Sequence, residues 1–362
     1  MTQNKNNNST NNVIVIVGGG SAGHVLPALP VAQRLIDQQW QVHFVGTHSG
    51  MEERLLGDRA IQFHSIASGR LRRYFSWRNF SDVFRILLGI FQSINLLRRI
   101  KPNVIFSKGG FVSFPLVFAG WMLRIPIVAH ESDLTPGLAN RLVMPFVATL
   151  CTSFADTRFF AFKGKLVHTG SPVREELLAG DAQTGRRRLG IGEETPILLV
   201  TGGSLGAKKL NQIVIQALPE LCTSYFVVHV CGPGKAQGIV RERYIELEYV
   251  DVGWGDILAA ADIVISRAGA NSIFELWALQ KVALLVPLPL SVSRGDQMAN
   301  AAYAAKNELS MVAQEQDLNA KELSRCVENL AAKAECYQTC LSQFMGINAS
   351  ALLLAEVERL AK

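Results

Sequence analysis

The residues placed to do chemistry gather at the ends of short apolar runs. Val13 to Val17 leads into Gly18-Gly19-Gly20-Ser21-Ala22-Gly23-His24, and Ile197 to Val200 leads into Thr201-Gly202-Gly203-Ser204-Leu205-Gly206. Glycines at a strand-to-helix turn let backbone N–H groups approach an anion, and the dipole of the following helix favours negative charge there. One such device in each half implies two nucleotide-binding halves facing a common cleft. That layout suits an enzyme holding a nucleotide sugar on one half and an acceptor on the other. His24, directly after the first loop, is a candidate general base or substrate contact. Its plain alternative is a structural, helix-capping histidine.

A third segment, Ser266-Arg267-Ala268-Gly269-Ala270-Asn271-Ser272-Ile273-Phe274-Glu275, also follows a strand and opens a helix. Its small residues and amides suit a diphosphate, and Arg267 adds positive charge. Glu275 can accept hydrogen bonds from ribose hydroxyls, or it simply offsets the helix dipole. Further on, Arg294 to Ala301 brings Gln297 and Asn300, whose amides both donate and accept and so suit a hydroxyl-rich sugar.

Gly18-x-Gly20-x-x-Gly23 formally matches a dinucleotide fingerprint, which also requires an acid at the end of the next strand. That strand ends Phe44-Val45-Gly46-Thr47, so a nicotinamide cofactor is disfavoured. No Asp-x-Asp pair follows a strand to hold a metal, and the reading needs no cofactor.

The elements that must carry these groups alternate. Helices are expected over 27–38, 81–99 and 136–142, and strands over 41–45, 103–106 and 127–130. In the second half strands are expected over 225–231, 245–251, 263–266 and 283–287. Short apolar strands alternating with helices imply parallel sheets covered on both faces, with ligands at the carboxyl edges. The chain has 362 residues, 49% hydrophobic and 18% charged, enough for two ordinary domains with large cores. The expected division is a polar tail at 1–12, a first domain at 13–170 and a second at 171–346. Residues 347–362 form a helix that can cross back to the first domain. The linker is expected at 167–174. The tail lacks the apolar core of a signal peptide, so a cytoplasmic location is expected. The six cysteines show no metal-ligand spacing and read as thiols.

The net charge is +6, and cations mix with aromatics in Arg70 to Phe80, notably Arg72, Arg73, Phe75, Trp77, Arg78 and Phe80. With Trp121 and Arg124, this is a candidate contact with an anionic bilayer. A solvated loop before a core helix is the alternative, and no nucleic-acid-binding signature accompanies the cluster. No apolar run was found of the roughly 18 residues a membrane span needs.

Six motifs then stand in a familiar order. They are Gly19 to His24, Phe106-Ser107-Lys108-Gly109-Gly110-Phe111, and His130-Glu131-Ser132 through Pro136-Gly137-Leu138-Ala139-Asn140. Gly202 to Ala207, Ser266 to Gly269 and Asp296-Gln297-x-x-Asn300-Ala301 complete the set. The chain resembles the MurG family, peripheral membrane transferases of peptidoglycan synthesis. The resemblance covers nearly everything from Val13 onward. It implies the α/β GT-B fold, with two Rossmann-like domains whose parallel sheets face a central cleft. It also implies inverting transfer of N-acetylglucosamine from UDP to the C4 hydroxyl of an undecaprenyl-pyrophosphoryl muramyl pentapeptide. The implied setting is the cytoplasmic face of the inner membrane, with other cell-wall synthesis proteins as partners.

By that resemblance Ser21, Ala22 and Gly23 form the acceptor loop, and His24 is the base, helped by Glu131. Asp133 and Asn140 serve the acceptor. Arg174, Ser204, the backbone around Val250, Ala270, Asn271, Ser272, Ile273, Phe274, Glu275 and Gln297 would contact UDP-N-acetylglucosamine, with Asn300 nearby. Arg267 and the amides after Ser204 and Ala270 would stabilise departing UDP. The first loop departs from the family's usual Thr-Gly-Gly, and Asp133 stands where some members carry Asn. A related enzyme using another UDP-sugar, and a non-enzymatic sugar-nucleotide or lipid sensor, are the competing readings. The first differs in donor selectivity, and the second would tolerate loss of His24.

Overall fold

A computed structural model describes residues 12–48, 50–69, 77–158, 162–203, 206–344 and 348–362, with only the backbone for 77–81. Two wholly parallel sheets organise it. The first contains β1 (Val13–Gly18), β2 (Gln41–Thr47), β3 (Ile61–Ile66), β4 (Val104–Gly109), β5 (Ile127–Glu131), β6 (Thr149–Thr152) and β7 (Lys165–His168), in the order β3-β2-β1-β4-β5-β6-β7. The second contains β8 (Ile197–Thr201), β9 (Phe226–Val230), β10 (Tyr244–Leu247), β11 (Ile263–Ser266), β12 (Val282–Leu285) and β13 (Met311–Val312), in the order β10-β9-β8-β11-β12-β13. Within each sheet the winding direction reverses beside its first strand, between β1 and β4 and between β8 and β11. Helices diverge at such a point and leave a crevice outside the carboxyl ends of the strands.

The central strands are continuous apolar runs because helices bury both faces. Ile14, Ile16 and Val17 are fully buried, as are Leu198, Leu199 and Val200. The expected strands formed with shifted ends, and four were not anticipated: β3, β6, β7 and β13. β6 is Thr-Leu-Cys-Thr, too short and polar to signal itself. β7 corrects the expected linker, since Val167 and His168 belong to the sheet and the chain leaves it only at Thr169. The expected first helix is interrupted by the 3₁₀ turn Leu26–Ala28, where Pro27 stands at an opening position and Leu29–Asp37 follows.

After the second sheet the helices Ala334–Phe344 and Ala349–Ala361 follow. By length and composition residues 334–361 would suffice to cross a membrane, contrary to the sequence reading. Their apolar residues have other partners. Leu341 is buried in a core of the second sheet, while Leu353 and Val357 complete a core of the first with Ile14, Val31 and Phe106. Glu356 adds an ion pair with Lys165, and Arg359 donates to Thr149 Oγ1 at 2.8 Å. We expect Leu353→Ala to destabilise the first domain by about 2–5 kcal/mol, the usual cost of such a core truncation. Denaturant unfolding measures this, and a loss below about 1 kcal/mol would show that the last helix braces nothing.

Candidate active site

The two switch-point crevices meet. On the second sheet, β11 ends at Ser266 and the helix Ala270–Ala278 begins after Gly269, whose extended backbone makes it the N-cap. Among the described residues no side chain caps this helix, and its first turn holds no acid. Its leading N–H groups are therefore available to an external acceptor. Asn271 in that turn reaches across and donates from Nδ2 to the Gly23 carbonyl at 3.0 Å. The first loop and the second sheet's helix terminus thus touch directly. One turn further, Glu275 accepts from Arg174 at 3.4 Å. Burial raises the Glu275 carboxyl pKa, with Arg174 opposing the shift.

On the first sheet, His24 is enclosed. Burial, then the positive charge of Lys108, lowers its pKa to about 4, partly offset by the Lys108 backbone. The imidazole is neutral at pH 7, and its Nδ1 has no hydrogen-bond partner among the described residues. Asn140 holds its amide by donating to the His130 carbonyl at 3.2 Å and to Glu131 Oε2 at 2.9 Å, which leaves Oδ1 unpartnered among those residues. A Cβ added to Gly109 would sit 3.5 Å from both His24 Nδ1 and Asn140 Oδ1. Glycine at 109, with φ +96°, keeps that space open. Asn271 Oδ1 and Arg174 Nε are likewise buried and unpaired among the described residues. Buried polar atoms are normally satisfied, so four such atoms around one crevice mark where a ligand's polar groups fit.

Several expected site residues have other occupations. Glu131 is not a free base: its carboxylate accepts from the backbone N–H of Asp133 and Gly137, at 3.0 and 2.8 Å, and from Asn140. It shapes the 131–140 loop. Arg267 does not face the crevice either, since its guanidinium is buried against Glu315 and donates to the Val286 carbonyl at 3.0 Å. Asn300 is used as a clasp between the halves. Its Oδ1 accepts from Leu134 N at 2.9 Å, and its Nδ2 donates to Asp133 Oδ1 at 3.0 Å and to the Ala268 carbonyl at 3.2 Å. Asp133, also 3.6 Å from Arg294, belongs to that clasp. Burial, with Glu131 nearby, raises its pKa to about 6.

Ile273 and Phe274 are core residues, Phe274 packing on Phe154 with ring centroids 5.0 Å apart. Ala270 is buried, Ser272 is half-buried and Val250 packs half-buried on the same core. Gln297 Oε1 accepts from Leu288 N at 3.0 Å, which fixes its amide. Ser21 is exposed and opens the helix of Ala22 and Gly23 without capping it. Ser204 lies outside the described residues.

Lys108 carried no role in the sequence reading. It is buried at the end of β4 and donates to His130 Nδ1 and Ser132 Oγ. His130 in turn pairs through Nε2 with the Gly170 carbonyl at 3.0 Å, so Nδ1 is left to accept. Burial lowers the lysine pKa to about 7, opposed mainly by Glu131. Its signal was a lysine following the apolar run Val104 to Phe106 within a wholly buried strand.

Two parallel sheets facing across a crevice, with glycine loops at both switch points, make up the GT-B fold. The description "Glycosyltransferase family 28 N-terminal domain" matches residues 14–152, and "Glycosyltransferase family 28 C-terminal domain" matches residues 197–351. The chain belongs to the MurG family of these enzymes. It is 43% identical over 339 residues, 93% of this chain and 96% of its relative, to a Bacillus cereus protein. That relative is named UDP-N-acetylglucosamine--N-acetylmuramyl-(pentapeptide) pyrophosphoryl-undecaprenol N-acetylglucosamine transferase 2. It is 46% identical over 319 residues to the corresponding transferase of Clostridium kluyveri, covering 88% of this chain and 90% of that one. The crystal structure of Acinetobacter baumannii MurG superposes with a TM-score of 0.76 at 26% identity, covering 96% of this chain and 99% of that one.

Glu275 provides the test of the donor side. Removing one charge-assisted hydrogen bond costs roughly 1.5–3 kcal/mol. Glu275→Ala is therefore expected to weaken UDP binding at least about tenfold while the KM for acceptor changes little. Calorimetric titration with UDP reads this directly, and unchanged affinity would remove the donor from this half.

Proposed function

We propose that this enzyme moves N-acetylglucosamine from UDP-N-acetylglucosamine to the C4 hydroxyl of undecaprenyl-pyrophosphoryl-N-acetylmuramyl-pentapeptide, inverting the anomeric centre. It would thereby supply a building block for the cell wall, on which shape and division depend. The observation that carries the reading is the space over Gly109. Two buried side-chain atoms without partners among the described residues border it, and the helix Ala270–Ala278, uncapped among those residues, stands across the crevice.

In this reading the acceptor hydroxyl lies over Gly109, where a neutral His24 accepts its proton at Nδ1 while Asn140 Oδ1 accepts from a neighbouring O–H or N–H of the same acceptor. A diphosphate on either side would raise the basicity of His24 as the reaction proceeds. The negative charge developing on UDP falls to the leading amides of the Ala270–Ala278 helix and to Arg174, so no metal is assigned a step. A radiolabel transfer assay with UDP-N-acetylglucosamine and the lipid-linked muramyl pentapeptide tests the activity. His24→Ala should lower kcat about 10²–10⁴-fold, the usual contribution of a general base, with UDP affinity nearly intact. Unchanged turnover would leave His24 a structural residue.

The acceptor's polyprenyl chain requires an approach to the bilayer. The helix Trp77–Ile100 exposes Leu87, Leu88 and Phe91, the last 63% accessible, beside Phe84 on the same face. Trp121 and Met122, both about half exposed, lie at the end of the neighbouring helix Ser113–Met122. Arg85 is exposed on the first of these helices, and Arg124 is exposed two residues beyond the end of the second. Of the expected contact residues, Arg72, Arg73 and Phe75 lie outside the described residues, as do the side chains of Trp77, Arg78 and Phe80. Soluble proteins seldom expose so many contiguous apolar side chains. We assign this face to the cytoplasmic surface of the membrane.

Cations add about 1 kcal/mol each near an anionic leaflet, a contribution screened by salt, whereas apolar insertion is not. Vesicle flotation should show tighter binding to anionic than to neutral vesicles, only partly reversed by salt. Leu87→Ser with Phe91→Ser should weaken binding further and spare transfer to a water-soluble acceptor. A double variant that floats like the parent overturns the assignment.

A further inference from the structure

The first glycine loop already holds an anion of the protein's own. Glu52, in the short helix Glu52–Leu56, is wholly buried, and its Oε1 accepts from the Gly20 backbone N–H at 2.9 Å. Thr47 Oγ1 lies 3.1 and 3.2 Å from its two oxygens. No cation forms an ion pair with it among the described residues.

The surrounding glycines are cut to fit this carboxylate. A Cβ at Gly19 would lie 2.4 Å from Oε1, and one at Gly50 would lie 1.4 Å from Oε2. At Gly46 it would meet the Glu52 side chain at 3.0 Å. A side chain at Gly19 or Gly50 would collide with the Glu52 carboxylate, and one at Gly46 would crowd Phe63 and the Glu52 stem. Part of the glycine richness that resembles a phosphate cradle thus serves an internal carboxylate, and a second anion at the Gly20 amide would meet like charge at close range.

We propose that Glu52 is a positioning residue of the acceptor site: its carboxylate is the resident anion of the first glycine loop. It fixes the turn that presents Ser21 to His24, and it keeps external phosphate off the Gly20 amide. The acceptor's diphosphate is thereby confined to the Ser21 side of the loop. This role rests on the proposed acceptor reading of the first half.

The experiment compares the parent with Glu52→Gln, which keeps the shape but loses the charge, and Glu52→Ala, which removes the occupant. Inorganic pyrophosphate is titrated calorimetrically into each, and UDP binding, read from the other half, reports folding. Both variants should bind pyrophosphate about tenfold more tightly than the parent, the effect of roughly one charge-assisted contact. Transfer should fall in Glu52→Ala and be partly restored in Glu52→Gln, with the KM for donor unchanged. Equal pyrophosphate affinity in all three proteins, or full turnover in Glu52→Ala, overturns the proposal. Should Glu52→Ala lose UDP binding, Glu52→Gln alone decides by its pyrophosphate affinity. If pyrophosphate binds the variants more tightly without competing against the lipid acceptor, the resident anion stands and the acceptor reading fails.

Discussion

A reversal of winding direction within each parallel sheet is the constraint on which the rest depends. Where the order turns at β1 and β4, and again at β8 and β11, neighbouring crossover helices lie on opposite faces and cannot close over the strand ends. Main-chain groups at those ends are left without the covering that buries the rest of the sheet. The sequence meets this with glycines and small residues, because a side chain there would block either the facing loop or the ligand. Gly110 illustrates the crowding, since a Cβ on it would lie 2.1 Å from the Gly19 carbonyl oxygen.

Enclosure then sets the charge state of the groups inside. His130 and Lys108 are buried and His24 is half-buried with its Nδ1 enclosed, and desolvation is the first cause of each lowered pKa. Two imidazoles beside one amine cannot all carry charge in a weakly solvated pocket, so the histidines stay neutral and act through lone pairs. The acids nearby are managed differently. Glu131 is surrounded by three N–H donors, whereas Asp133 takes an amide and a partial ion pair in the clasp. A carboxylate whose oxygens are held by three N–H donors works as a clamp on its own loop. The geometry thus moves Glu131 from the chemistry to the scaffold.

Sequence patterning reached the strand–loop–helix units because a continuous apolar run ending in glycines is a local signal. It reached the parallel, two-sheet architecture for the same reason. It missed β6 and β13 because a strand of four residues with two threonines, or of two residues, has no periodicity to detect. It also could not say which polar residue faces a ligand. Arg267 and Asn300 sit at strand and helix positions identical in kind to those of Asn271 and Glu275, yet one pairs with Glu315 and the other bridges the halves. Only tertiary partners separate these cases, and those partners lie 48 and 167 residues away in the chain. Glu52 was invisible for the same reason, since nothing local marks an acid on a short helix as the neighbour of Gly20.

The two glycine-bearing crevices, alike in sequence, therefore end in different chemistry. In the first, a carboxylate satisfies the Gly20 amide, so the groups left to act are side-chain atoms, His24 Nδ1 and Asn140 Oδ1. In the second, no side chain among the described residues caps the Ala270–Ala278 helix and no acid stands in its first turn, so its leading amides are open to an external acceptor. Side-chain lone pairs suit the proton of a hydroxyl, while unsatisfied amides at a helix start suit the oxygens of a diphosphate. The hydrogen bond from Asn271 to Gly23 holds the two environments against each other. A displacement at a sugar carbon needs this pairing: a group that draws a proton from the incoming hydroxyl, opposite groups that take up charge from the departing diphosphate, with the sugar between them.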